Sequence, residues 1–120
     1  MTTKIQFGYW DFRGRGQVIR HLLTYTGLDW EETVYTDAVK WFTSDKQSLD
    51  LDFPNLPYLI DGEFTLSESV AIARYVANRS GKTELLGKNF YDSAKVDEIF
   101  GVFEDLRTQF FKLYADKGYK

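Results

Sequence analysis

Residues 53–69 read FPNLPYLIDGEFTLSES, and the topology of the neighbouring chain follows from how this stretch is read. It holds both prolines of the protein, Pro54 and Pro57, on either side of Asn55 and Leu56. Proline biases the residue before it towards extended backbone and tolerates a cis peptide bond, so Leu56–Pro57 is a candidate cis turn. Tyr58, Leu59 and Ile60 follow as a short strand, and Asp61-Gly62 is the dipeptide that best marks a tight hairpin. Residues 63–66 return as the partner strand. Thr65, Ser67, Glu68 and Ser69 then precede the apolar Val70, Ile72, Ala73 and Val76, which predicts a helix start with a capping box from Thr65 to Glu68. A rigid turn is thus expected beside a helix N-terminus, where backbone amides favour an anion.

Upstream, residues 4–9 (KIQFGY) alternate Ile5 and Phe7 with polar neighbours, the period of a strand. A loop with glycines at 14 and 16 leads to Val18, Ile19, Leu22, Leu23 and Tyr25 at helical spacing, and Gly27 is placed as a C-terminal cap. Residues 28–35 read as a second strand, and the connection is long enough for parallel pairing with the first. Residues 37–52 have irregular periodicity and read as a short helix followed by a loop, anchored by Trp41 and Phe42. Downstream, the helix through Tyr75 and Ala77 ends near Asn78, Ser80 and Gly81, and residues 81–87 read as a boundary. Residues 90–113 carry Val96, Ile99, Phe103, Leu106, Phe110 and Leu113 in steps of three and four, the spacing of a packing seam. Burying each of these is worth roughly 1.5 to 3 kcal/mol. The first domain, another subunit or further chain is therefore expected to cover them. The reading is an α/β domain over 1–82, then a linker and first helix of an incomplete all-helical domain over 83–120.

At 120 residues and 43% hydrophobic, the chain can hold one full core. Fifteen cations against 18 carboxylates leave a net charge of -3, and no basic tract offers a footprint for nucleic acid. No apolar run is long enough to span a bilayer and no signal-peptide pattern follows Met1, so a cytoplasmic location without membrane insertion is expected. With no cysteine, the chain has no disulfide, no thiolate metal site and no thiol redox chemistry of its own. The single histidine, His21, argues against an imidazole metal cluster. Chemistry must come from hydroxyls, carboxylates, cations, amides or a borrowed reagent.

Gly8-Tyr9-Trp10, where the first strand runs towards a helix, together with FPNLPYLIDG at 53–62, resembles the Tyr-type cytosolic glutathione S-transferases, the mu class in particular. RGRG at 13–16 and SES at 67–69 lean towards the sigma class, and the likeness runs through nearly the whole chain. The resemblance implies a thioredoxin-like domain, βαβ-α-ββα, followed by the beginning of an all-α domain. It also implies a homodimer that conjugates glutathione, as co-substrate, to small electrophiles, with no metal and no further cofactor.

Taken alone, Tyr9 is one of eight tyrosines, and a strand-end aromatic is most often core packing. The resemblance makes it the catalytic residue, a phenol that stabilises the glutathione thiolate. The same resemblance assigns Leu56 and Pro57 to the cysteinyl backbone of glutathione, and Glu68 and Ser69 to its γ-glutamyl end. Taken alone, Ser69 is equally a helix-cap residue. Asn55 matches a glutathione contact or bonds its own backbone. Trp41 and Lys46 resemble the pair that holds the glycyl carboxylate, with one more residue between them than in the mu class, which leaves Phe42 as an alternative match. Trp10 matches a site tryptophan. Arg15 stands where mu enzymes carry leucine and adds a cation near an anionic ligand. Asp105, by itself a solvated charge, matches an acid that reaches the partner subunit's glutathione. A competing reading is a non-catalytic structural or binding subunit on the same fold.

Overall fold

Ile5, Phe7 and Tyr9 alternate along β1 (Ile5–Trp10) and all three are buried, so the period read from the residues is the period of the strand. The computed structural model describes residues 4–116. Contacts divide the chain into two units, residues 1–82 and residues 83–120. In the first, β1 pairs in parallel with β2 (Trp30–Tyr35) and antiparallel with β3 (Tyr58–Asp61). Between β1 and β2 runs α1 (Gln17–Thr26), closed by Gly27 in the left-handed conformation, as its position in the sequence predicts. A hairpin joins β3 to β4 (Phe64–Ser67), giving the strand order β2-β1-β3-β4. α4 (Ser69–Ser80) follows and ends at Gly81, also left-handed. This mixed four-stranded sheet with its helices is the thioredoxin-like arrangement.

Three local expectations change. The hairpin loop is Gly62-Glu63, one residue later than Asp61-Gly62, because Asp61 pairs with Phe64 inside the ladder. Gly62 alone takes the positive φ that the turn needs. Asp61 is retained in the strand by α4, since its Oδ2 accepts from Tyr75 Oη at 2.6 Å and Arg79 Nε at 2.9 Å. The capping box does not form: Thr65 lies in β4 opposite Ile60, and Glu68 caps α4 through its backbone, with φ 76° and no side-chain bond. Residues 37–52 are more helical than expected. Asp37 caps α2 (Ala38–Lys40) by accepting from Lys40 N, a π-helical turn covers Trp41–Asp45, and α3 (Lys46–Ser48) completes the segment.

The sheet buries both faces. Phe7 stands opposite Leu59 on the side where α1 contributes Ile19 and Leu23 and α4 contributes Ile72 and Val76. On the other side Gly8 stands opposite Tyr58. A Cβ at Gly8 would collide with the Tyr58 ring, so glycine is what lets that ring lie across β1. Trp41 stacks on Tyr58 at 6.5 Å, and the Tyr58 and Tyr35 hydroxyls share a hydrogen bond of 2.8 Å.

In the second unit, Thr83–Leu86 forms a short 3-10 helix and α5 spans Phe90–Ala115. Asn89 caps α5 by accepting from Asp92 N. The long periodic segment is therefore one helix, and none of its residues is buried.

Candidate functional site

Cross-strand register gathers the predicted residues of the first unit. Gly8, Tyr58 and Ser67 form one row across β1, β3 and β4. Tyr9 and Trp10 follow Gly8, Pro57 precedes Tyr58, and Glu68 and Ser69 follow Ser67. Three segments distant in sequence thus end at the same rim of the sheet. Ser67 Oγ donates to Phe53 O at 2.7 Å and ties the proline turn to the end of β4.

Tyr9 is 3% exposed, and residues 13–16 fold over it. A Cβ at Gly14 would meet the Tyr9 hydroxyl and one at Gly16 its ring, which is why the loop needs both glycines. Between them, Arg15 N donates to Tyr9 Oη at 2.8 Å. That bond uses a lone pair of the oxygen and leaves the phenolic proton for another acceptor. A hydroxyl that already accepts a hydrogen bond is a better donor of its own. Residues 13–16 meet Tyr9 here through their backbone.

The proline turn has the cis Leu56–Pro57 bond that the residues suggest. Leu56 N, expected to face a ligand, instead donates to Asn55 Oδ1 at 2.9 Å. Asn55 thus bonds the backbone of its own turn. Leu56 itself is buried in the core cluster.

Trp41 differs most from its expected place. It is 1% exposed and packed among Trp10, Tyr35 and Tyr58, whereas Phe42 is 57% exposed. Lys46 Nζ lies 5.5 Å from the Phe42 ring centroid, and Trp10 reaches both Trp41 and Phe42. The π turn gives Trp41 to the core and the next side chain to solvent. Burial and the hydrogen bond to Tyr58 push the Tyr35 phenol above its ordinary range, so the hydroxyl bridge beneath Trp41 keeps its Tyr35 proton at neutral pH.

At the start of α4, Ser69 is buried and Glu68 is exposed, with a positive φ. Ile72 N bonds Glu68 O, so the helix begins directly after the rim. Asp105 lies on α5 in the second unit and is exposed. An open cavity of about 340 Å³ beside β2, lined by Thr33, Tyr35, Asp37, Lys40, Asp45 and Ser48, includes none of the predicted site residues. Among the described residues, no group of three or more His, Asp or Glu could hold a metal ion, and no helix is long and apolar enough to cross a membrane.

One residue pair beside Tyr9 escaped the sequence reading. Arg20 and Glu32 form an ion pair at 2.7 Å, with Arg20 also bonded to the carbonyls of Trp10 and Phe12. In the sheet Glu32 is in register with Phe7, which puts an acid on the helix-covered face of β2. An acid there requires a cation from α1.

Residues 5–78 match the family model described as the glutathione S-transferase N-terminal domain. The class-mu 26 kDa isozyme 51 glutathione S-transferase of Fasciola hepatica is 43% identical over 110 residues, covering 90% of this chain and 49% of that one. Glutathione S-transferase Mu 3 of Homo sapiens is 42% identical over 113 residues, covering 88% and 48%. The crystal structure of the glutathione S-transferase Blo t 8 superposes with a TM-score of 0.82 at 34% identity, over 94% of this chain and 52% of that one. The chain spans about half the length of the relatives it matches. With this match over most of the thioredoxin-like unit and with relatives of the mu class along nearly all of its length, the chain belongs to the glutathione S-transferase family.

Proposed function

We propose that this protein binds glutathione at the sheet rim and transfers it to small electrophiles, with Tyr9 as the catalytic residue. The carrying observation is the row Gly8–Tyr58–Ser67, which brings Tyr9, Pro57 and Ser69 to one rim in a chain of this family. A free thiol titrates near ~8.5, so a phenol that donates its proton in a hydrogen bond to the sulfur raises the thiolate population at neutral pH. The thiol proton leaves to solvent. The thiolate forms a C–S bond as a leaving group departs, or as an enone or epoxide takes up a proton. No metal or further cofactor is required.

Ser69 and the first amides of α4 take the γ-glutamyl carboxylate in this reading, and Glu68 its ammonium. The cysteinyl backbone pairs at Leu56 and Pro57, displacing Asn55 Oδ1 to reach Leu56 N. Lys46 takes the glycyl carboxylate beside Phe42, with Trp41 as the packed support. Trp10 and Arg15 border the bound glutathione, Arg15 as a cation beside an anionic ligand. The apolar seam of α5 is assigned to a subunit partner, with Asp105 directed at the partner's glutathione in a cytoplasmic homodimer.

A second reading, a binding or scaffold subunit without turnover, is favoured by one observation, the uncovered seam of α5. The test is conjugation of an activated aromatic halide by the intact protein and by Tyr9→Phe. A loss in kcat of roughly a hundredfold, in the range of general acid–base contributions, is expected for the variant. Equal turnover by both removes Tyr9 from its role. Glutathione binding without turnover by the intact protein selects the scaffold.

A further inference from the structure

Arg20 has five N–H donors and a recorded acceptor for each. Nε meets Glu32 Oε1 and Oε2 at 2.9 and 3.0 Å, Nη2 meets Glu32 Oε2 at 2.7 Å and Trp10 O at 3.0 Å, and Nη1 meets Phe12 O at 2.9 Å and Gln17 Oε1 at 3.0 Å. Its guanidinium carbon lies 5.5 Å from the Tyr9 ring centroid and 5.9 Å from that of Phe7. Arg20 and Glu32 side chains are 17% and 16% exposed, so the pair is largely shielded from screening by solvent. One side chain therefore bridges α1 to β2, to the end of β1 and to the loop that closes over Tyr9. Trp10 and Phe12, whose carbonyls it grips, bracket Tyr9 on its C-terminal side. Such saturation exceeds what a helix-to-strand ion pair alone needs.

We propose that Arg20, held by Glu32, is the positioning residue for Tyr9. It fixes the phenol ring from one face and sets the path of residues 10–13, so that Arg15 N arrives at Tyr9 Oη and the phenolic proton is directed at the thiol. The inference rests on the reading of Tyr9 as the thiolate donor and names the device that orients it. Glu32 neutralises the guanidinium and holds its plane, and the carbonyl bonds carry the geometry.

Two variants separate positioning from simple structural support. Arg20→Lys keeps the cation but has one nitrogen, which cannot span both carbonyls and Glu32. Glu32→Gln keeps Arg20 and removes the carboxylate that holds it. The measurements on the folded protein are the pH midpoint of the ultraviolet thiolate band of bound glutathione, the KM for glutathione, and kcat with an activated aromatic halide. For Arg20→Lys the midpoint is expected to rise by about one pH unit, which is tenfold less thiolate at fixed lower pH, with kcat down roughly tenfold and KM within about twofold. Glu32→Gln is expected to shift both in the same direction by less, and it carries the test if Arg20→Lys does not fold. A folded variant with a lower melting temperature but an unchanged midpoint and kcat overturns the positioning role and leaves Tyr9 untouched. Wild-type protein that binds glutathione without a thiolate band overturns the Tyr9 reading and this inference with it.

Discussion

Phe7 and Phe103 are the same side chain, the first placed by the alternation of a strand and the second by the three-and-four steps of a helix, yet the first is 0% and the second 58% exposed. Phe7 sits in a sheet with helices against it, so its strand face meets α1 and α4. Phe103 sits on α5, and the described residues of the second unit, 83–116, hold no second long helix to face it. A hydrophobic stripe states which face needs burial and says nothing about what will bury it. The thioredoxin-like unit buries its sheet with its own helices, whereas the apolar stripe of α5 stands exposed.

Phe7→Ala should lower the stability of the first unit by about 3 to 5 kcal/mol in urea unfolding, since it removes a large ring from a packed centre. Asp61→Asn comes next. It breaks a carboxylate that is 7% exposed and bonded to both Tyr75 and Arg79, for an expected loss of roughly 1 to 3 kcal/mol in the same measurement. The same cluster gives a pH effect. Burial first, and then the hydrogen bond to Asp61, raise the Tyr75 phenol from 10.0 to about 12. The fold favours the neutral phenol, so this contribution is complete below about pH 10 and is lost as pH rises through about 12. Tyr75→Phe should therefore flatten the alkaline fall in stability over that window, and equal slopes in both proteins would contradict the assignment.

On the α5 side the expected effects are smaller. Asn89→Ala removes the cap on Asp92 N and should cost about 1 kcal/mol, read as faster amide exchange in the first turn of α5 with no change in the sheet. Phe103→Ala should change stability by less than about 0.5 kcal/mol in the dilute monomer, as for an exposed position. A loss of about 2 kcal/mol would show that the seam is covered in solution, and the concentration dependence of that loss would identify a second copy as the cover.

Local chemistry made much of the site legible. Gly27 and Gly81 announce helix ends because left-handed backbone favours glycine, and Pro57 announces its turn because a tertiary amide tolerates the cis form. Tyr9 was singled out by the resemblance carried on Gly8 and Trp10, and in the structure it follows Gly8 at the rim of the sheet. The misses share a cause. Asp61 reads as a turn residue from its neighbours, but Arg79 and Tyr75, 18 and 14 positions away, keep it in the strand. Thr65 has the spacing of a cap to Glu68, but pairing with Ile60 claims its backbone for β4. Trp41 and Phe42 are adjacent and both aromatic, and the π turn with the Tyr58 ring decides which one enters the core.

Residue order alone marked most of the elements, the glycine-capped helix ends, the proline turn, the lack of cysteine and the six-residue seam of α5, because each depends on nearest neighbours, periodicity or composition. Only the assembled sheet could align Gly8, Tyr58 and Ser67, fold the Arg15 amide onto the Tyr9 oxygen and set Arg20 against Glu32. These are contacts between segments whose separation along the chain leaves no local trace. Their partners are chosen by register and packing, which exist only once the strands have paired.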